Sequence, residues 1–151
     1  YTEDTKCVKE TVKLCKDLES ELEKVKAVYE WTIKKFSYNT IKAKTVESGY
    51  VPDLDAVFKA RKAICFDYAA TMVAMLRSQG IPAKLVVGWS GTQYHAWISV
   101  YLAETGWVDG VIFFDGINWS RFDPTLAAGN RGTSVKDYVN NSGNYRERYF
   151  Y

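Results

Sequence analysis

From Val8 to Phe36 the apolar residues fall at Val8, Val12, Cys15, Leu18, Leu22, Val25, Tyr29, Ile33 and Phe36. Steps of three and four throughout make an amphipathic helical stripe. Ser20-Glu-Leu-Glu23 interrupts it as a capping-box pattern. The stripe therefore predicts two helices, over about residues 3–17 and 20–37, that share a buried face. Residues 38–52, with Tyr38-Asn39, Ser48-Gly49 and Pro52, read as a loop. A short helix is expected from Asp53 to about Ala60, with Asp53 as its cap and Leu54, Val57 and Phe58 buried. A further helix holds Ala69, Met72, Val73 and Leu76 on one spacing, until Gly80 and Pro82 stop it.

Beyond Pro82 the period changes. Ala83 to Val87 reads as a strand, and Ser90-Gly-Thr-Gln93 as a turn. Tyr94 to Tyr101 alternates Tyr, Ala, Ile, Val against His, Trp, Ser, Tyr, the period-two signature of a strand. Glu104-Thr-Gly106 turns the chain, and Asp109-Gly110 turns or bulges it again. Val111–Phe114 and Ile117–Phe122 are strands on either side of an Asp115-Gly116 hairpin turn. A Gly-rich loop at 129–132, a short helix near Ser134–Val139 and an edge strand in Tyr145–Tyr151 complete the reading. Helices first and an antiparallel meander after them make the fold α+β. No linker interrupts the 151 residues, which suit a single domain.

Composition adds an unusual aromatic load, five Trp and eleven Tyr, which suits aromatic-rich strands and a lined groove. The formal charge of +2 is too small to imply nucleic acid or an anionic membrane as partner. Local basic clusters (Lys34, Lys35; Lys42, Lys44; Lys59, Arg61, Lys62) read as solvated faces. No run of 18 apolar residues offers a membrane span. No signal-peptide pattern is read in these residues, and the lack of an initiator Met suits a trimmed fragment, so location stays open. Three cysteines exclude a complete disulfide framework, and Cys7 and Cys15 lie two helical turns apart, too far to bridge. One histidine and no Cys-x-x-Cys argue against a structural zinc site, and nothing calls for a cofactor.

The candidate chemistry centres on Cys65, at the first turn of the helix that runs to Leu76. There the helix dipole and unpaired backbone N–H groups favour thiolate over thiol. A buried, inert thiol is the bland alternative. Thiol chemistry needs a base, and His95, in mid-strand, is the side chain naturally poised for it at neutral pH. An imidazole base needs an acceptor to fix its tautomer. Asp109, Asp115 and Asp123 are candidates: the first two precede Gly and suit turns, whereas Asp123 ends a strand before Pro124.

Taken in order, Cys65-Phe-Asp-Tyr-Ala, Gly80-Ile-Pro82-Ala, His95-Ala-Trp97 and Phe122-Asp-Pro-Thr125 resemble the transglutaminase-like superfamily of transglutaminases, bacterial thiol proteases and peptide N-glycanases. Glu23-Lys-Val25 to Trp31 and Phe36-Ser-Tyr38-Asn39 resemble its upstream helix and the loop after it, so the likeness covers about residues 20–126. The resemblance implies a papain-like fold, its Cys-bearing helix packed on an antiparallel sheet. It also implies a Cys65–His95–Asp123 triad acting on protein or peptide amides through a thioester, by hydrolysis in preference to amine transfer. The Cys65 backbone N–H is then the first oxyanion donor; Tyr38, Asn39 and Tyr50 are able second donors. Asp67 is accounted for by dipole complementarity. Ala63 stands where the family usually has Gly, predicting a slightly narrowed entrance. Two alternatives stand beside the enzyme: a non-catalytic peptide- or glycan-binding module using Trp89, Tyr94, Trp97, Trp107 and Trp119, and a peptide N-glycanase-like amidase.

Overall fold

The computed structural model describes residues 1–90, 93–114, 119–121 and 145–151. The Asp115-Gly116 turn, Asp123-Pro124-Thr125, the 129–132 loop and the short helix at 134–139 lie outside the described residues. The chain divides into two compact units, Tyr1–Ile81 and Pro82–Tyr151.

The first unit is built on helices α1 (Lys6–Leu14), α2 (Glu21–Lys35), α3 (Thr40–Thr45), α4 (Leu54–Ala60) and α5 (Cys65–Ser78). The predicted capping box is present: Ser20 Oγ accepts the N–H of Glu23, whose carboxylate accepts that of Ser20. It fixes the start of α2 where the apolar stripe alone runs on unbroken. The buried face of α1 is Cys7, Val8, Thr11 and Cys15, whereas Val12 is 60% exposed. A threonine can replace a valine on that face because its hydroxyl donates to the Cys7 carbonyl at 2.7 Å, as Thr32 does to Val28 at 2.8 Å in α2. Asp53 caps α4 as expected, accepting the N–H groups of Asp55 and Ala56 at 3.0 Å. Val57 is buried there, but Leu54 and Phe58 are only half-buried.

Residues 38–52 are not all loop. A two-residue strand β1 (Ser37–Tyr38) pairs in parallel with β2 (Lys62–Ala63), and α3 follows it. Asn39 starts α3 by accepting the Lys42 N–H at 3.0 Å. This helix buries no residue, and its one large apolar side chain, Ile41, is exposed, so it has no hydrophobic period to read. At the other end of the unit, Gly80 (φ 76°) closes α5 as a Schellman motif. The N–H of Gly80 bonds the Arg77 carbonyl at 3.1 Å and that of Ile81 the Leu76 carbonyl at 3.2 Å.

The second unit is an antiparallel sheet of β3 (Ala83–Ser90), β4 (Gln93–Leu102), β5 (Gly106–Phe114), β6 (Trp119–Arg121) and β7 (Tyr145–Phe150), in the order β6-β5-β4-β3-β7. The β3–β4 ladder runs from Ala83 opposite Val100 to Ser90 opposite Gln93. The register against β5 shifts between Ile98, opposite Ile112, and Val100, opposite Val108, so Asp109-Gly110 falls in a bulge. From His95 to Val100 every residue of β4 is buried, on both faces of the strand. Alternation locates the strand but not its burial, because the polar His95 and Ser99 are buried along with the apolar residues. Among the described residues no helix is long and apolar enough to cross a membrane.

Candidate functional site

Cys65 is the first residue of α5, after Ile64 in an extended conformation. It is partly exposed, unlike the other two thiols. Burial, with the Asp55 charge second, pushes the Cys7 thiol up to about 11, and burial raises Cys15 as well. Both are therefore inert fillers at neutral pH. The strand pair β1–β2 brings a second chemical group alongside: Tyr38 lies opposite Ala63, and the Asn39 N–H bonds the Ala63 carbonyl at 2.9 Å. Half-burial, together with negative charge on Cys65 and on Asp67, holds the Tyr38 hydroxyl up to about 12. Tyr38 is thus a neutral O–H donor at physiological pH. Tyr68 is raised too, by burial and then by Tyr38.

Ala63 is fully buried. Among the described residues the one non-glycine with positive φ is Arg61, so Ala63 needs no backbone freedom that glycine alone would give.

Two residues past Cys65 the sequence reading is incomplete. Asp67 is fully buried, its side chain 0% exposed. Its carboxylate accepts the Ile64 N–H at 2.9 Å, half of a capping box, since Ile64 has no oxygen to return the bond. It also accepts the Lys42 ammonium at 2.6 Å and the Tyr50 hydroxyl at 2.6 Å. Dipole complementarity alone does not account for it. Lys42 likewise is not a solvated lysine: its ammonium also bonds Tyr50 at 2.6 Å and lies 4.3 Å from the centre of that ring. Partial burial works against this charge, but the hydrogen bonds to Asp67 and Tyr50 outweigh it and raise Lys42 above its usual range. Tyr50 is raised by burial and by Asp67. The other basic clusters are solvent-facing as expected, except that Arg61 lies over the Phe58 ring at 4.0 Å.

In the second unit His95 is buried, 8% exposed, in the middle of β4. Its cross-strand partner on β3 is Gly88, so no side chain from that strand crowds the imidazole at this register. Trp97, two residues on and also buried, lies opposite Val86. The described aromatics named for a groove differ in exposure. Trp97 is buried, whereas Trp107 is exposed, paired with Tyr101 at 5.6 Å and covered by the Lys84 ammonium at 3.6 Å. Asp123 lies outside the described residues, and Asp109 is placed only by its backbone in β5. No group of three or more His, Cys, Asp or Glu residues converges as a metal site among the described residues.

The model of the transglutaminase-like superfamily matches residues 9–124. The chain belongs to this superfamily. It is 30% identical over 118 residues to the uncharacterised protein YebA of Bacillus subtilis, covering 64% of this chain and 16% of that protein. It is 32% identical over 68 residues to a protein-glutamine gamma-glutamyltransferase of Pseudomonas aeruginosa, covering 36% of this chain and 10% of that one. The chain therefore spans less than a fifth of the length of these relatives. A crystal structure of a TGase superposes with a TM-score of 0.57 at 24% identity, over 83% of this chain and 35% of that one, a likeness of fold.

Proposed function

We propose that the chain is the acyl-transfer module of a thiol enzyme acting on the carboxamide or peptide bonds of proteins, with Cys65 as nucleophile, His95 as general acid–base and Asp123 orienting His95. The observation that carries this reading is Cys65 itself: a partly exposed sulfur at the first position of α5, in a chain whose other thiols are buried. The family match supports it, since residues 9–124 include all three side chains.

In this reading His95 takes the thiol proton, and the sulfur attacks the carbonyl carbon to give a tetrahedral oxyanion. The Cys65 N–H, at the first position of α5, donates to that oxygen. Tyr38, kept neutral and close enough to sense the Cys65 charge, is the better-placed second donor among Tyr38, Asn39 and Tyr50. The C–N bond then breaks, His95 returns its proton to the leaving amine or ammonia, and a thioester remains. Water attacking the thioester gives hydrolysis and restores the thiol. A second reading, attack by an amine to form a new amide, is favoured by the protein-glutamine gamma-glutamyltransferase of P. aeruginosa. Ammonia release from a glutamine peptide, with and without a primary amine, separates the two.

The testing experiment is alkylation by iodoacetamide across pH, read by peptide mass spectrometry. Cys65 is expected to react well below pH ~8, the ordinary thiol range, with Cys7 and Cys15 protected. Cys65→Ala is expected to abolish turnover with an unchanged far-UV spectrum. A Cys65 that titrates as an ordinary thiol would falsify the nucleophile assignment.

A further inference from the structure

A buried carboxylate two residues from a nucleophilic sulfur poses an electrostatic problem. Asp67 holds the Ile64 N–H at 2.9 Å and so fixes the turn from which Cys65 projects. Its negative charge, fully buried, also opposes a second negative charge on the neighbouring sulfur. The Lys42 ammonium, 2.6 Å from the carboxylate and itself partly buried, removes that opposition. We infer that Lys42 is a positioning residue for the acyl-transfer reaction: it neutralises Asp67, so the carboxylate can brace the first turn of α5 without suppressing the Cys65 thiolate. The inference deepens the proposed function and rests on Cys65 being the nucleophile.

The parts lie far apart in sequence and meet through local structure. Asn39 caps α3, which sets Lys42 one turn into that helix, and Tyr50 then closes the cluster with a hydroxyl bond to Asp67 at 2.6 Å. Tyr38 from β1, Lys42 from α3 and Tyr50 from the segment after it are the titratable groups set against this end of α5. On the other packed elements four charged groups are engaged elsewhere, while Lys6, Lys26, Lys59 and Lys62 are exposed. Asp55 of α4 accepts the Lys6 N–H, Glu10 of α1 accepts the Trp31 indole, Glu23 of α2 pairs with Ser20, and Arg61 beside β2 lies over Phe58. His95 and Asp123 are the remaining titratable groups in the proposed chemistry. Tyr50 contributes a hydrogen bond and no charge, so the two side-chain partners of Asp67 separate by experiment.

The test is the pH profile of Cys65 alkylation in the full chain and its variants. In Lys42→Met the midpoint is expected to rise by about one pH unit, slowing alkylation about tenfold below it. Lys42→Arg and the double variant Lys42→Met/Asp67→Asn are expected to restore the wild-type midpoint, one by replacing the charge, the other by removing both. Tyr50→Phe is expected to leave it within about 0.3 of a pH unit. Asp67→Asn alone should move the midpoint the other way, downward, because Lys42 is then uncompensated; this variant carries the test should Lys42→Met fail to fold. A reactive wild-type Cys65 whose midpoint ignores both Lys42→Met and Asp67→Asn, or an upward move in Asp67→Asn, overturns the role of Lys42. An unreactive wild-type Cys65 overturns the nucleophile reading instead, so the two failures are distinguishable.

Discussion

Tyr38, Lys42 and Tyr50 all hold their protons more tightly in the fold than in an open chain. A group raised by folding stabilises the native state fully below its unfolded value and loses that contribution as pH climbs through its folded one. The unfolded values are about 10 for tyrosine and 10.4 for lysine, and Tyr38 titrates in the fold at about 12. Urea midpoints are therefore expected to hold level at neutral pH, then to fall from about pH 9, where the raised Cys7 and Cys15 thiols begin to lose their contribution, to about pH 12, with the tyrosines and Lys42 acting above about pH 10. Tyr38→Phe should make that fall shallower; an identical slope in the variant would remove Tyr38 from the account. At this scale the sequence discloses that Cys65 opens a helix, because a helix start is a local property with local signals. It does not disclose the Lys42–Tyr50–Asp67 cluster. Its members stand eight and 17 residues apart, joined across a stretch with no hydrophobic period, and a lysine considered alone is best read as solvated.

Elements were legible where a capping residue marks them. Ser20, Asp53 and Gly80 each set a boundary that the structure keeps. The case of Gly80 is sharp enough to test. No atom lies within 4 Å of the point a Cβ would occupy, so substitution there costs only backbone conformation. Gly80→Ala is expected to destabilise the fold by about 1 kcal/mol, with Gly80→Asn costing less, as measured by urea denaturation. The elements missed, α3, β1 and β2, are held by hydrogen bonds rather than by apolar burial. The Ser37 N–H bonds the Arg61 carbonyl at 2.9 Å, and Asn39 bonds both Ala63 and Lys42. The β1–β2 pairings join residues about 24 apart, and periodicity within one segment does not record them.

For the whole molecule the α+β order was readable from the change of period near Pro82. The depth of burial along β4 was not, since His95 and Ser99 are polar residues on a strand that has no solvent face from His95 to Val100. Ile98 sits fully buried at its centre. Ile98→Ala is expected to cost about 2–5 kcal/mol, whereas Tyr101→Ala, at an exposed position of the same strand, should cost less than about 1 kcal/mol. Thermal and urea unfolding of the two variants check the contrast; equal losses would mean that β4 is not the core strand. Asp123 belongs to this scale as well, since its assignment depends on a strand order that a motif can suggest and cannot supply.

The position of β7 has a consequence for how the protein is made. β3 has two neighbours in the sheet: β4, which follows it at once, and β7, whose first residue, Tyr145, comes 55 residues after Ser90. On the ribosome the β3–β4 hairpin can zip early, because little chain need be closed to form it. The other border of β3 waits with its backbone amides and carbonyls bare until the Tyr145–Phe150 stretch has emerged. Translation across that interval is when a nascent chain is most open to pairing with a strand of its neighbour, and slower elongation there lengthens the exposure.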